Sequence, residues 1–225
     1  VVNAAVEKLD TSGRIYHVTV DMSKPNESED ELPTWHISGA LILHKATPPT
    51  MESIESHNIP YVVVNGPAGK SGSVVVPDDV QGTRLAMEHL IKLGHKKIAY
   101  ANAPAEFISR AHSSIYDRES TYLGQLKKHG LKPVAGYHEA PGPAEDFINQ
   151  RVFRDGATAI LAYGHMGGLN LMQAAHKLGV EVPKELSLIC FCDEYANSVM
   201  SPGLTFVDLR SKQMGQVAAD LLLKF

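Results

Sequence analysis

The sequence lacks the features that mark several large classes of protein. Its 225 residues include two cysteines and one tryptophan, and aromatic residues make up 7%. No run approaches the roughly 18 apolar residues of a membrane-spanning helix. Acidic residues outnumber Lys and Arg, and the formal net charge is −4. These absences exclude a disulfide-rich scaffold, a helical membrane protein and a strongly basic nucleic-acid-binding module.

The two cysteines form a Cys-x-Cys pair, Cys190 and Cys192, inside a strand-like run. Residues i and i+2 of a strand point the same way, but their spacing is poor geometry for a disulfide. We therefore expect two reduced thiols, which are typical of a cytosolic protein.

Length and composition predict an ordinary globular protein. Hydrophobic residues make up 44% of the sequence and charged residues 20%. The length allows one large domain or two of about 100 residues each. Helical apolar stripes already run through residues 1–9 and 214–225, so we expect that residues are missing at both ends of this sequence.

Strand-like and helix-like segments alternate along the whole chain, which predicts an α/β fold with parallel sheets. The expected strands are 14–20, 37–43, 59–65, 74–76, 98–101, 134–138, 157–162, 186–191 and 204–209. The expected helices are 2–9, 51–58, 83–93, 114–129, 144–153, 168–178 and 214–225. An acidic segment, 23–34, is interpreted as a solvated loop. A break near 103–106 suggests two similar lobes.

Residues 73–102 predict a strand, an acidic turn, a helix and a second strand, which together form a right-handed parallel unit. Thr83 or Asp79 is expected to cap the helix. The apolar stripe of this helix consists of Leu85, Ala86, Leu90 and Leu93. Ligands bind beyond the carboxyl ends of such strands, so the polar turn is a candidate site.

Other chemistry finds little support in the sequence. Gly69-Lys70-Ser71 lacks the upstream glycine of a phosphate-binding loop. The histidines do not show the spacing of a helical metal pair, and Cys192 with His165 lacks a third orienting residue. We therefore expect no metal, no cofactor and no catalytic site. Asp78, Asp79, Arg118, His165 and Asp193 follow predicted strand ends or begin helices, which together favours a polar small-molecule cleft.

Three stretches carry a resemblance to a known family. In chain order they read VVVPDDVQGTRLAMEHLIKLGHKKIAY, YDRESTYLGQLKKHGL and TAILAYGHMGGLNLMQAAHKLGVEVPKELSLICFCDEYANSVMSPGLTFVDL. The most specific parts are HLIKLGHKKIAY and the pair LGVEVPKELSLI and SPGLTFV. From about Ile37 to Leu223, the chain resembles the effector-binding core of the LacI/GalR family of bacterial transcription regulators.

The resemblance implies a periplasmic-binding-protein-like fold of type I, with two Rossmann-like lobes and a small-molecule effector in the cleft between them. It assigns 1–103 and about 208–225 to an N-terminal lobe, and 104–207 to a C-terminal lobe. Ile98–Ala101 and Leu204–Leu209 are then the expected crossings between the lobes.

The resemblance also implies the partners of the protein. It implies a cytoplasmic homodimer, whose surface would include the helices at 51–58 and 83–93. It implies DNA binding through a helix-turn-helix domain that we expect to lie outside this chain. The lobe angle would set the spacing of two such domains on DNA.

Candidate effector-binding residues follow from the same resemblance. Arg118 lies at the family's effector-contacting arginine, although Thr121-Tyr122 matches the following Gly-aromatic pair only in part. Asp78 and Gln81 match the polar turn at the rim of the cleft. The other candidates are His112, Ser114, Leu161, Gly164, His165, Cys192 and Asp193.

The sequence departs from the family at the opposite wall of the cleft. Gly164-His165 replaces the usual Asn-Asp, and Cys192 replaces an effector-binding Asp. Asp193 follows one position later, where a strand side chain points to the other side. A simple monosaccharide is therefore less favoured, and Arg118 with His165 would suit a carboxylate or phosphate-bearing metabolite. Alternatively, the site has drifted and binds little.

Two rival functions stay open. A solute-binding protein of a sugar or metabolite transporter shares the implied fold, although the reduced Cys-x-Cys pair and the SPGLTFV run count against it. An enzyme on a doubly wound fold would need a Gly-rich fingerprint or an acid–base pair at a plausible spacing, and neither is evident.

Overall fold

The computed structural model describes residues 1–10, 16–20, 37–44, 46, 48–67, 69–105, 112–193 and 203–225. In chain order its elements are α1 (Val2–Leu9), β1 (Tyr16–Val20), β2 (Gly39–Leu43), α2 (Pro48–Ser56), β3 (Tyr61–Val64), β4 (Ser73–Val75), α3 (Asp79–Lys92), β5 (Ile98–Ala101), α4 (Ser113–Lys128), α5 (Ala144–Ile148), β6 (Ala159–Ala162), α6 (His165–Lys177), β7 (Ser187–Cys192), β8 (Thr205–Asp208) and α7 (Ser211–Leu222). A π-helical turn, Asn149–Arg154, continues α5. No helix in these ranges is long and apolar enough to cross a membrane.

The first compact unit comprises Val1–Pro77 and Arg210–Phe225. Its sheet is parallel, in the order β1-β2-β3-β4. Both β2 and β3 are buried along their whole length, as expected for strands covered on both faces. Helices α1 and α7 pack in one core with Leu41 and Val62, and Ile54 of α2 packs in the other.

The second compact unit comprises Asp78–Leu209. Its sheet is also parallel, in the order β5-β6-β7-β8. Helices α3 and α4 share one core with Ile189 and Phe191 of β7. Helices α5 and α6 share the other core with Leu188, Cys190 and Cys192 of the same strand. Alternate residues of β7 therefore face opposite cores, and the predicted α/β class with parallel sheets is confirmed.

The predicted strand–helix–strand unit around residues 73–102 is wrong. Strand β4 pairs with β3 in the first sheet, whereas β5 pairs with β6 in the second. Helix α3 packs with the second sheet, since its buried Ala86, Met87 and Leu90 share a core with that sheet. The predicted stripe was also wrong in part, since two of its members, Leu85 and Leu93, are exposed.

The division of the chain differs from the expected one. The first break between the units lies between Pro77 and Asp78, whereas the resemblance placed it near 103. The second lies between Leu209 and Arg210, next to the expected position of about 208. Ile98–Ala101 was expected to cross between lobes but lies wholly inside the second unit. The helix assigned to the dimer surface at 83–93 belongs to the second unit as well.

Smaller differences concern the ends of single elements. Residues 135–138, predicted as a strand, form a turn that Glu139 N–H closes onto the carbonyl of Gly136. The last two helices begin at His165 and Ser211, three residues before their predicted starts. The predicted acidic loop 23–34 lies outside the described residues, as do residues 106–111, which follow the predicted break near 103–106.

Candidate functional site

The carboxyl ends of the second sheet gather polar side chains from three helix starts. The side chain of Asp78 caps α3, because its Oδ1 accepts a hydrogen bond from Gln81 N–H at 2.8 Å. The predicted caps, Thr83 and Asp79, do not serve this purpose. Asp79 is the first residue of α3 and turns inward, with 6% of its surface exposed.

Asp79 forms a buried ion pair with Arg118 of α4. Both Nε and Nη2 of Arg118 lie 2.7 Å from Oδ1 of Asp79. Arg118 is 5% exposed, so the pair is almost closed to solvent. Burial raises the pKa of the Asp79 carboxyl, and the charge of Arg118 opposes that rise.

Two rings and a carbonyl hold the guanidinium of Arg118 in place. Its Cζ lies 3.8 Å from the ring centre of Phe191 and 4.5 Å from that of Tyr163. Its Nη1 donates to the backbone carbonyl of Tyr163. Cation–π contacts of this kind are stronger when they are desolvated. Arg118 is therefore bound to α3, to the residue after β6 and to the end of β7.

A chain of hydrogen bonds extends this cluster to the start of α4. His112 caps α4, since its Nδ1 accepts from Ser114 N–H at 3.2 Å. The Oγ of Ser114 lies 2.7 Å from the same nitrogen and 2.6 Å from the hydroxyl of Tyr163. Ser114 is 1% exposed. The network from His112 to Asp79 therefore joins predicted candidates with two residues that were not predicted, Tyr163 and Phe191.

Asn102, directly after β5, adds a further buried polar group. It is 4% exposed, and its Nδ2 donates to Oε2 of Glu119 at 2.9 Å. Its Oδ1 accepts from Ala103 N–H at 2.7 Å. The ends of β5, β6 and β7 thus each contribute a side chain at this edge of the sheet, namely Asn102, Tyr163 and Phe191.

The structure places the predicted candidates Leu161 and Cys192 in opposite cores of the second unit. Leu161 is fully buried in the core that α3 and α4 share with the sheet. Cys192 is 2% exposed and packs in the opposite core with Cys190. The reason is the alternation of strand side chains, which turns Phe191 toward Arg118 and Cys192 away from it. Both cysteines are free thiols, as expected.

The remaining candidates flank the cluster. Gly164 precedes α6 in an extended conformation, and His165 is the first residue of that helix. Within the described residues, buried Nε2 of His165 and buried Oδ1 of Asp193 have no hydrogen-bond partner. Gln81 is exposed on the first turn of α3. These groups could bind hydroxyl or amide groups of a ligand.

A second concave surface lies between α5 and α6 and measures about 570 Å³. Lys177 and Glu145 pair across it with an Nζ–Oε1 distance of 2.5 Å. Its lining side chains lie on helix flanks rather than at strand ends, so it is the less suitable of the two places for a ligand.

The fold and the polar strand ends define a binding protein of the doubly wound α/β type. Residues 87–225 match the family described as periplasmic binding protein-like domain, and the chain belongs to that family. The predicted fold family is therefore confirmed.

Curated relatives are named as regulators of transcription. The HTH-type transcriptional regulator reg1 of Streptomyces lividans is 29% identical over 204 residues, which cover 84% of this chain and 56% of that protein. The HTH-type transcriptional regulator MalR of Streptomyces coelicolor is also 29% identical, with the same coverage. The chain thus spans little more than half the length of these relatives.

Solved structures show the same likeness. A LacI family transcriptional regulator from Mycobacterium smegmatis is 27% identical, with a TM-score of 0.67 over 84% of this chain and 70% of that one. A LacI family regulator from Enterococcus faecium with bound ribose shares the fold at 20% identity, with a TM-score of 0.69 over 84% of this chain and 71% of that one. The predicted resemblance to the LacI/GalR family is confirmed by these matches.

Proposed function

We propose that this chain is the effector-binding core of a transcription regulator that binds DNA through a domain outside it. The observation that carries the proposal is the buried network around Arg118, at the strand ends where ligands bind in α/β folds. The regulator names of the relatives support it. The effector is a small polar molecule, and its binding favours one conformation of the core and thereby changes the affinity for DNA.

The proposed regulator is a cytoplasmic homodimer without catalytic activity or cofactor. Two exposed leucines support a second copy as the partner, since Leu85 on α3 is 53% exposed and Leu93, directly after α3, is 61% exposed. Sedimentation of the purified protein tests this part. We expect a dimer, and replacement of both leucines by Ser should favour the monomer, whereas a wild-type monomer would contradict it.

Calorimetric titration tests ligand binding by the chain. The panel consists of neutral monosaccharides and of phosphorylated or acidic metabolites. We expect saturable binding of at least one compound, with hydrogen exchange slowed at the first turns of α3, α4 and α6. Protection confined to the surface between α5 and α6 would contradict the proposed place of binding.

A matched pair of variants sharpens the test. Ser114→Ala removes the hydroxyl that joins His112 to Tyr163 and should weaken binding about tenfold, because Tyr163, which holds Arg118, loses one hydrogen bond. Ser120→Ala removes an exposed hydroxyl of the same helix, bonded to the carbonyl of Asp117, and should leave the affinity unchanged. Equal affinities of both variants would contradict the assigned site.

A further inference from the structure

The charge of Arg118 is compensated inside the second unit, and this bears on the class of ligand. We propose that Asp79 selects the ligand by charge: its carboxylate neutralises Arg118, so that the site takes uncharged ligands and rejects anions. The inference rests on the proposed function, because it concerns the ligand of the same site. It replaces the expectation that Arg118 with His165 suits a carboxylate or phosphate.

The first argument is the geometry of the guanidinium. An arginine that recognises a carboxylate or phosphate presents two parallel N–H groups to it. Here Nε donates to Oδ1 of Asp79 at 2.7 Å, and Nη2 lies 2.7 Å from the same oxygen. The Nη1 group donates to the carbonyl of Tyr163. Asp79 thus occupies the place that an anionic ligand would take on Arg118.

The second argument is access. The faces of the guanidinium are covered by the rings of Phe191 and Tyr163, at 3.8 and 4.5 Å from Cζ. Arg118 and Asp79 are 5% and 6% exposed. An anion could reach the arginine only by displacing a buried carboxylate, and the displaced charge would then lack a partner in a medium of low dielectric.

The third argument is the sign of the surrounding charges. Three further carboxylates lie near the same strand ends and helix starts, since Asp78 caps α3, Glu119 bonds to Asn102 and Asp193 follows β7. Like charges at such a place repel an anion. Carboxylates and amides can instead accept hydrogen bonds from ligand hydroxyls.

The decisive variant is Asp79→Asn, which keeps the size of the side chain and one acceptor oxygen but removes the charge. The probes are inorganic phosphate and the matched pair glucose and glucose 6-phosphate. We expect wild type to show no saturable binding of either phosphate probe. Asp79→Asn should bind both phosphate probes saturably, with a Kd at least about tenfold below the highest probe concentration that leaves wild type unbound. Its melting temperature should also rise when phosphate is added.

Two controls separate the loss of this carboxylate from a loss of net charge. Asp117 is half-buried and precedes Arg118 in the sequence. Asp117→Asn therefore removes one negative charge close to Arg118, and this variant should behave as wild type toward phosphate. Asp79→Glu keeps the carboxylate and should again reject phosphate. The proposal is overturned if Asp117→Asn gains as much phosphate binding as Asp79→Asn, or if wild type binds phosphate as tightly as Asp79→Asn.

A measurement on wild type covers the case in which Asp79→Asn does not fold. The Nε–H resonance of Arg118 should stay unchanged when phosphate is added to the isotope-labelled protein. A saturable shift of that resonance would overturn the proposal. Failure of the proposed function has a different signature, since it would show as absent binding of neutral compounds, whatever phosphate does.

Discussion

The side chain of Arg118 lies between Asp79, whose Oδ1 is 2.7 Å from both its Nε and its Nη2, and Phe191, whose ring centre is 3.8 Å from its Cζ. The two contacts come from parts of the second unit that lie far apart in sequence, the start of α3 and the end of β7. One charged side chain therefore holds together the elements that form the proposed site.

Breaking this ion pair should destabilise the protein strongly. Asp79→Asn leaves a buried guanidinium without its counter-charge, so the free energy of unfolding should fall by about 3–5 kcal/mol. The double variant Asp79→Leu with Arg118→Met removes both charges and should lose much less. Urea unfolding of the two variants checks this. An equal loss in both would show that the pair contributes through packing rather than through charge.

Two stacked tyrosines with different hydroxyl environments provide a matched comparison. The rings of Tyr100 and Tyr122 lie 5.2 Å apart, and the Tyr122 hydroxyl donates to the carbonyl of Ile98 at 2.8 Å. Tyr122→Phe should lower the free energy of unfolding by about 1–2 kcal/mol because that carbonyl stays buried. The Tyr100 hydroxyl is buried and has no partner within the described residues, so Tyr100→Phe should be neutral or stabilising.

Urea denaturation of the two Phe variants measures both changes. A Tyr100→Phe variant that loses as much stability as Tyr122→Phe would mean that its hydroxyl has a partner in solution, such as a buried water.

Glycine at position 82 allows α3 to lie close to the sheet. A Cβ there would lie 2.8 Å from Cγ1 of Val207 and 3.1 Å from Cε1 of Phe191. Gly82→Ala should therefore cost about 1–3 kcal/mol of unfolding free energy, and it should weaken ligand binding because Phe191 covers Arg118.

Gly124, in α4, is the matched control for that substitution. No heavy atom would lie within 4 Å of its Cβ. Gly124→Ala should raise the free energy of unfolding by about 0.5–1 kcal/mol, the difference in helix propensity. Thermal unfolding of both variants should give shifts of opposite sign. Shifts of the same sign would contradict the close approach of α3 to β7 and β8.

His95 should make stability depend on pH. Its Nδ1 lies 2.9 Å from Oγ1 of Thr158, and its Nε2 lies 3.0 Å from Oγ of Ser187. Burial lowers the pKa of His95 below its usual 6.5, and the charge of His89 acts in the same direction. The unfolded chain therefore binds a proton more readily than the folded one.

The consequence is a loss of stability on the acidic side. The contribution of neutral His95 is complete above pH 6.5, and it declines below that pH by at most about 1.4 kcal/mol per pH unit. His95→Gln should remove this part of the slope. Urea unfolding at pH 7.5 and at pH 5 checks the prediction, because the first value lies above the usual histidine pKa of about 6.5 and the second lies below it. An unchanged slope in the variant would contradict it.

The sequence predicts most of the fold because its strands are distinctive. The apolar runs that became β2, β3, β6 and β7 are too short for helices and end at turn residues. Periodicity along one helix does not reveal which sheet that helix covers. For this reason α3 was expected beside β4, whereas its buried Met87 packs in the core of the second sheet.

The sequence predicts where the candidate site lies, at the strand ends, but it does not predict which side chains contact each other there. Arg118 and Ser114 were predicted as site residues from the sequence. The adjacent acids Asp78 and Asp79 look alike in sequence, and only the structure shows that the first caps α3 and the second is buried. Strand β7 is apolar on both faces, so its sequence does not show whether Phe191 or Cys192 faces Arg118. The position of Tyr163 directly after β6 was the one available signal for its role.

The most direct test of the proposed function is DNA binding by the full-length protein with and without its ligand. Fluorescence anisotropy on DNA selected from random sequence gives the affinity, and the ligand is a compound that binds the chain in calorimetry. We predict specific DNA binding whose Kd changes about 5–150-fold when the ligand is added. Tight ligand binding without any DNA binding, as for a transport solute-binding protein, or a Kd for DNA that the ligand leaves unchanged, would contradict the account.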